Sequence, residues 1–198
     1  MALIKVKSEG VDLSDNFAFT GTVTGAGSNI KEQLAMLCDG QNYTVSSGTY
    51  TPTNVTAGAG TSSSFSEIGG SAITYTPPTG TTGVLYEFLF HISPLSAQHN
   101  ILSAYLEIAG TEVTDSRTNI GANSNFSDLI SFKYLIPVGG SASTATGRQA
   151  TWTSGIALRV MARRYGGSNE PRLHQTYYWE ASTSSQFHRP SLIITAFG

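Results

Sequence analysis

Charged residues and cysteine are both scarce in this chain of 198 residues. Charged side chains make up 12% of the sequence, which is about half of the share in an average globular domain. Cys38 is the single cysteine, so no internal disulfide can form, and we expect it to be a small buried apolar residue. The net charge of −2 gives no general reason to expect nucleic acid as a partner.

Long apolar runs are also missing. None reaches the roughly 18 residues that are needed to cross a membrane, so we expect no membrane insertion. The first residues, MALIKVKSEG, lack the apolar core of a secretory signal. We therefore expect the protein to fold in a cytosol, without disulfides. The 39% of hydrophobic residues nevertheless suffices for a core and excludes a disordered chain.

Motifs for catalysis and metal binding are absent as well. No serine lies in a GxSxG turn, and the histidines show neither HxH nor HExxH spacing. Carboxylates that could cleave a glycoside are available in principle, but strand surfaces carry such acids routinely. We therefore predict no enzymatic activity, no metal site and no cofactor. The histidines are His91, His99, His174 and His188, and the glutamates on or beside predicted strands are Glu87, Glu107 and Glu112.

The clearest pattern that the chain does contain is the alternation of Val84–Ile92. Its first face is wholly apolar, and its second face also carries two leucines. A strand that is apolar on both faces usually has something packed on each of them, and in an antiparallel β-protein the second neighbour is often another subunit. The first face holds Val84, Tyr86, Phe88, Phe90 and Ile92, and the second holds Leu85, Glu87, Leu89 and His91.

Many further strands separated by turn-rich loops predict an all-β fold, namely an antiparallel jelly-roll β-sandwich. We expect two parts: a short β-arm over residues 1–28, which anchors the protein or swaps between protomers, and a jelly-roll domain over residues 29–198. The predicted strands of this domain are Gln41–Ser46, Gly48–Val55, Ile68–Thr76, Val84–Ile92, Ile101–Ala109, Leu129–Pro137, Gly155–Tyr165, Leu173–Glu180 and Ser191–Phe197.

One short helix is predicted, at Asn29–Leu37. Asn29 can cap its amino terminus, and Glu32 follows three residues later, as in a capping box. Gly40 comes shortly after the predicted end. The apolar positions that would share one helical face are Ile30, Leu34 and Leu37.

Charge is unevenly distributed along the chain. Residues 1–130 carry a net charge of −7, and residues 131–198 carry +5. Either late strands lie beside early ones and their charges complement each other, or a basic face meets an acidic partner. The residues of that basic face would be Arg159, Arg163, Arg164, Arg172 and Arg189.

A cluster of aromatic and cationic residues near the carboxyl terminus is the candidate ligand or partner surface. Aromatic rings beside cations can stack on sugars or hold an acidic group. The same residues can equally form part of the core or of a subunit contact, because neighbours on a strand face opposite ways. The candidate residues are Arg172, His174, Tyr178, Trp179, Phe187 and Arg189.

Several segments resemble virion proteins of tailed phages, especially marine ones. SEGVDLSDNFAFTGTVTGAG resembles the β-rich segments that precede the heads of phage fibres. ITYTPPTGTTGVLYEFLFHI, YLEIAGTEVTDS, LHQTYYWE and SLIITAFG resemble their jelly-roll modules, which are similar to the trimeric heads of the complement and tumour-necrosis-factor superfamily. The resemblance implies a non-enzymatic homotrimer that is exposed on a virion surface.

The chain departs from a typical fibre because it has neither a long shaft nor a tail-docking domain. It would therefore be a fibre or appendage head that docks through residues 1–28 and contacts host-surface glycan, or a capsid decoration protein. A third alternative is a non-viral carbohydrate-binding module or a weak hydrolase. The predicted subunit interface comprises Leu85, Leu89, His91 and Met161, and we expect Leu89→Asp or Met161→Asp to dissociate the oligomer.

Overall fold

The computed structural model describes residues 29–94, 100–122, 127–165, 170–177 and 185–198. The predicted arm at residues 1–28 lies outside these ranges. The described residues form sixteen strands and a single turn of 3-10 helix at Thr114–Ser116. In chain order the strands are β1 (Ile30–Leu37), β2 (Tyr43–Val45), β3 (Gly48–Tyr50), β4 (Ala59–Gly60), β5 (Ser66–Glu67), β6 (Ile73–Tyr75), β7 (Gly83–Ser93), β8 (Asn100–Ile108), β9 (Thr111–Glu112), β10 (Thr118–Ala122), β11 (Asp128–Pro137), β12 (Ile156–Arg164), β13 (Arg172–Leu173), β14 (Gln175–Tyr177), β15 (Ser185–Phe187) and β16 (Ser191–Phe197).

Two antiparallel sheets contain most of these strands. Sheet I has the order β1-β16-β7-β11, and β13 and β4 continue it beyond the end of β16. Sheet II has the order β6-β12-β8-β10, with β5 beside β12 and β9 beside β8. Two small hairpins, β2–β3 and β14–β15, complete the described structure.

The strand order identifies a jelly roll. The eight main strands, in chain order, are β1, β6, β7, β8, β10, β11, β12 and β16. The first of these pairs with the eighth, the second with the seventh, the third with the sixth, and the fourth with the fifth. Four nested antiparallel pairs that wrap into two sheets define this fold. The predicted all-β jelly-roll sandwich is therefore confirmed.

The core lies between the two sheets, and β7 contributes most to it. The alternation predicted for Val84–Ile92 is confirmed, because all five residues of its first face are fully buried. Phe88 and Phe90 stack with their ring centroids 5.1 Å apart. Leu158 and Val160 of β12 pack on the same core from sheet II. Each such side chain contributes about 1.5–3 kcal/mol through burial.

The predicted helix at Asn29–Leu37 is wrong, because this segment forms strand β1. Its burial alternates, with Glu32, Leu34 and Met36 inward and their neighbours exposed. The strand pairs along its length with β16, which supplies the backbone partners that a helix would have found within itself. Tertiary pairing thus overrides the local helix signal. Within the described ranges, no helix is long and apolar enough to cross a membrane.

The inward position of Glu32 explains why the capping signal misled. Its carboxylate accepts hydrogen bonds from the Ser46 hydroxyl at 2.5 Å, from the Ser47 amide at 2.8 Å and hydroxyl at 2.5 Å, and from the Tyr75 hydroxyl at 2.8 Å. Burial raises the pKa of Glu32, but these hydrogen bonds outweigh that effect and hold the pKa below its usual value. The carboxylate therefore attaches the turn of the β2–β3 hairpin to the sandwich.

We expect Glu32→Gln to lower the free energy of unfolding by about 1.5–3 kcal/mol near neutral pH, because hydrogen bonds to a charged acceptor are lost. Since the folded pKa is depressed, this stabilisation is present above the unfolded value of about 4.3 and is lost as the pH falls through the folded value. Urea unfolding as a function of pH measures it. Glu112→Gln, at an exposed ion pair with Arg117, is the control and should have a much smaller effect; equal effects would contradict this role of Glu32.

Candidate functional site

The outer face of sheet I carries an unusual number of apolar side chains. Across β11, β7, β16 and β1, three rows of facing residues run at right angles to the strands. A single ion pair, Lys133 Nζ to Glu87 Oε1 at 2.7 Å, lies among them. The rows are Leu135–Leu85–Thr195–Gln33, Lys133–Glu87–Ile193–Ala35 and Ser131–Leu89–Ser191–Leu37.

Three leucines of this face are largely exposed. Leu129 is 57% exposed, Leu135 is 55% exposed and Leu37 is 52% exposed. The predicted interface residues Leu85 and Leu89 lie half-buried between them on β7. Sequence reasoning missed the three exposed leucines, although the alternation of β11 contains the necessary signal. An apolar sheet face of this kind is typical of a contact with another chain.

Met161 lies apart from the other predicted interface residues. It belongs to β12 and points away from the core on the outer face of sheet II, whereas Leu85, Leu89 and His91 lie on the outer face of sheet I. The two outer faces of a sandwich point in opposite directions. Within one protomer, the four residues therefore do not form one surface.

The outer face of sheet II is polar and aromatic. The Phe65 and Tyr105 rings lie 4.8 Å apart, and the Arg163 guanidinium lies 4.9 Å from the centroid of the Phe65 ring. Beside them a cleft of about 560 Å³ is lined by threonine and charged side chains. In that cleft Arg159 binds Glu107 at 2.6 Å and Glu67 at 3.5 Å. The two sheets thus present surfaces of different chemistry.

The described members of the predicted carboxyl-terminal ligand surface differ in exposure. His174 is 1% exposed and packs against the core, so its inclusion in a surface is corrected. Phe187 is 40% exposed, and the Arg189 guanidinium lies 5.7 Å from its ring centroid. Arg172 is half-buried beside Glu170. The remaining candidates, Tyr178 and Trp179, lie outside the described residues.

Arg189 also has a structural task. Its Nη1 donates hydrogen bonds to the Cys38 carbonyl at 2.8 Å and to Asn54 Oδ1 at 2.9 Å. These bonds fix the chain where it enters β16 against the end of β1. Phe187 is consequently the most accessible described member of the predicted ligand surface.

The uneven charge of the sequence is resolved by contacts between early and late strands. Arg159 pairs with Glu67 and Glu107, and Lys133 pairs with Glu87. This confirms, for these residues, the first of the two interpretations: basic side chains of residues 131–198 neutralise acidic side chains of residues 1–130. The pairs lie on the outer faces of both sheets, where each is worth at most about 1 kcal/mol.

The three glutamates considered for glycoside cleavage take part in ion pairs. Glu87 lies on sheet I and pairs with Lys133. Glu107 and Glu112 face each other across the β8–β9 hairpin, where Glu107 forms an ion pair with Arg159 and Glu112 forms one with Arg117. The hydrogen bond from Arg117 lowers the pKa of Glu112, which opposes the protonated state that a general acid needs. Among the described residues, no group of three His, Cys, Asp or Glu side chains could hold a metal ion.

Cys38 is fully buried at the end of β1, as expected for a small apolar residue. Its thiol donates a weak hydrogen bond to the Gly70 carbonyl at 3.2 Å. Burial, reinforced by the nearby Asp39, raises the pKa of Cys38 to about 12. Reactive thiols are exposed and have a lowered pKa, so the position of Cys38 indicates a packing role.

Comparisons with known proteins provide distant likenesses only. No protein-family model matches the sequence, and no curated protein matches it significantly. A chain in the structure of infectious bursal disease virus, strain Gx, aligns over 92% of this chain and 42% of its own length, with 14% identity and a TM-score of 0.36. A chain in the structure of strain Gt aligns over 72% of this chain and 32% of its own length, with 14% identity and a TM-score of 0.32.

A mutant VP2 protein of the same virus, from derived T=1 particles, aligns over 78% of this chain and 43% of its own length, at 11% identity and a TM-score of 0.24. The chain therefore spans less than half of the length of these viral chains. At TM-scores this low, the jelly-roll assignment rests on the strand order of the chain itself.

We expect the Cys38 thiol to be inert towards a thiol reagent such as dithionitrobenzoate in the native protein at pH 8, because it is buried and protonated. It should react fully in guanidinium chloride. The absorbance of the released thionitrobenzoate measures both rates. Rapid reaction under native conditions would show that the end of β1 opens readily.

Proposed function

We propose that this chain is a non-enzymatic structural protein of a phage virion, exposed on the particle as the trimeric head of a fibre or appendage that contacts the host surface. The carrying observation is the exposed apolar face of sheet I on a complete jelly roll. The resemblance of its segments to tailed-phage virion proteins supports the same proposal. Under it, the residues of the two sheets have separate tasks: sheet I faces neighbouring copies, and sheet II faces outward.

The size of the apolar face is compatible with a stable contact between copies. Four strands spaced about 4.8 Å apart and about eight residues long give roughly 500 Å² for one protomer. A contact would then bury about 1,000 Å² in total, which reaches the lower limit for a specific interface. The single ion pair between Lys133 and Glu87 neutralises the charge at its centre, so this surface can enter a contact without an unpaired charge.

A closed trimer is easier to form if the outer face of sheet II is not part of the subunit contact. Because the outer faces of a sandwich point in opposite directions, sheet I of one protomer stacked on sheet II of the next would propagate as an open filament. A closed trimer requires sheet I to meet a flank instead. The flank between β10 and β11 offers a groove of about 560 Å³, lined by residues 115–120 and 129–134. We propose that the outer face of sheet I of one protomer packs against this groove of the next protomer. Leu85 and Leu89 would lie at the centre of the sheet I side of the contact.

We expect the wild-type protein to have three times the chain mass of 20.9 kDa, and Leu89→Asp or Leu135→Asp to give monomers, because a carboxylate would be buried without a partner. Met161→Asp, an equivalent change on the outer face of sheet II, is the control and should remain trimeric. Light scattering coupled to size exclusion measures the mass. A trimeric Leu89→Asp protein, or a monomeric Met161→Asp protein, would refute this contact.

Host contact is assigned to the end of the sandwich that carries Phe187. Its exposed ring beside the Arg189 guanidinium is an arrangement that can stack on a sugar. The sequence predicts Tyr178 and Trp179 as further members of this surface. Host glycan is therefore the proposed ligand.

A capsid decoration protein is the second candidate. The observation that favours it is the compactness of the described residues, which form one sandwich without the repeated shaft elements of a fibre. In this role residues 1–28 would anchor the domain by adding strands to a neighbouring sheet. Adding the protein back to bare capsids should then raise their melting temperature, whereas a fibre head should leave it unchanged.

The location on the particle decides between these functions. Electron microscopy of intact virions labelled with a specific antibody should show label at the tail end for a fibre head. Label across the capsid would establish a decoration protein instead. Virions without label, from a preparation in which the protein is detected by immunoblot only outside particles, would overturn the virion proposal and leave a carbohydrate-binding module as the alternative.

A further inference from the structure

Three histidines from three separate segments meet at one end of the sandwich. His91 lies near the end of β7, His174 follows β13, and His188 follows β15. The His91 and His188 rings have centroids 3.9 Å apart. The main chain connects all three, since the His174 amide donates to the His91 carbonyl and the His188 amide donates to the His174 carbonyl, both at 2.8 Å.

The polar atoms of this cluster are poorly satisfied. Nδ1 of His91 and the hydroxyl of Ser93 are buried without a hydrogen-bond partner among the described residues. Neither buried ring nitrogen of His174 forms a hydrogen bond of good geometry there, although the Gly69 backbone lies close enough to interact with the ring. The His174 ring instead lies edge-on to Phe88 and Phe90, with centroids 6.4 and 6.2 Å away. Unpaired buried polar atoms are rare in folded proteins and call for an explanation.

The backbone at His174 is strained as well. Its φ angle is 61°, in the left-handed region that residues with a side chain seldom adopt. Strain of this kind persists only where the surroundings impose it, and it concentrates at switches and binding sites. Here the surroundings are the apolar rings beneath His174 and the main-chain bonds to the other two histidines.

His174 and His91 are each easier to keep neutral than charged. Burial lowers the pKa of His174 to about 4, with a further contribution from His188, and the Gly69 backbone offsets only part of it. Burial and the nearby His188 also lower the pKa of His91, whereas Asp128 of β11 raises it in part. Folded pKa values below the unfolded value of about 6.5 mean that stability is full above that pH and is lost as the pH falls towards the folded values.

Other charged groups around the cluster are already engaged. Glu170, which precedes His174, forms ion pairs with Arg164 and with Arg172. Arg189, which follows His188, donates to the Cys38 carbonyl and to Asn54. Asp128 is therefore the described carboxylate that acts on the cluster, and it acts on His91 rather than on the more deeply buried His174.

The segment held at this point is attached to sheet I by short pairings only: β13 pairs with β4 through two residues, and β14 lies against β7. Strand β13 pairs with β7 through only two residues, Arg172 and Leu173. The β14–β15 hairpin that follows pairs with itself. We propose that His174 and His91 form an acid-labile latch, which holds strands β13, β14 and β15 against sheet I when the two side chains are neutral and releases them when the side chains are protonated. His188 contributes its main-chain bond to His174 and its ring contact with His91. This latch is independent of whether the chain is a fibre head or a decoration protein.

Hydrogen–deuterium exchange of the intact protein tests the latch. After correction for the intrinsic pH dependence of exchange, peptides covering residues 172–188 should exchange faster at pH 5.0 than at pH 7.5. If one histidine has a pKa of about 6.5 when released and about 4 when buried, the corrected exchange rate should increase about 30-fold. Peptides from β8 and β12 should show no comparable change, which separates release of the segment from global unfolding.

Variants identify the histidines responsible. His174→Asn keeps a side chain that tolerates a positive φ but cannot be protonated, and it should abolish the acid-dependent step. His91→Gln tests the same latch from β7 and should reduce the step even if His174→Asn does not fold. Glu112→Gln, which removes a titratable group at the ion pair with Arg117 on β9, is the control and should retain the full step. Equal corrected exchange at the two pH values, or a full step in both latch variants, would overturn the proposal.

Discussion

The burial of the inner face of β7 is the constraint on which the rest of the structure depends. This strand lies between β11 and β16 in sheet I, and its aromatic side chains fill the space between the sheets. β16 pairs with β7 over Gly83–Leu89 and with β1 on its other side, so it lies in the middle of the sheet. β1 then finds its place on the far side of β16, and the nested order of the jelly roll follows. Side chains that alternate away from this core are consequently available for contacts with other molecules.

The two outer faces differ although their strands are built on the same alternation. Sheet I exposes leucines around one ion pair, whereas sheet II exposes arginines and glutamates that pair with each other beside the Phe65 and Tyr105 rings. An asymmetric sandwich of this kind distinguishes one side from the other without any catalytic group. Such a difference is what a protein needs when it packs against copies of itself on one side and faces solvent or a ligand on the other.

The end of the sandwich near His174 combines buried polarity, backbone strain and weak attachment. Glu32 is buried as well, but its carboxylate is paired with the β2–β3 hairpin and with Tyr75. Stability is therefore unevenly distributed, with strong cohesion around β7 and weaker cohesion at β13. Local opening is expected where polar groups are unsatisfied and where few backbone pairs must break.

The sequence by itself determined the β class and the strands with strong alternation, and it indicated charge complementation as one of two interpretations. The predicted strand at Ser191–Phe197 coincides with β16, and the inward face of Val84–Ile92 was predicted residue by residue. Local pattern suffices there because burial on one face imposes a period of two. Only the tertiary structure decided that Glu32 faces inward on a strand, since its partners Ser46 and Tyr75 are distant in sequence and a capping signal is purely local. Likewise, the leucine face, the separation of Met161 from Leu89 and the meeting of three histidines arise from the register between strands, which no single segment encodes.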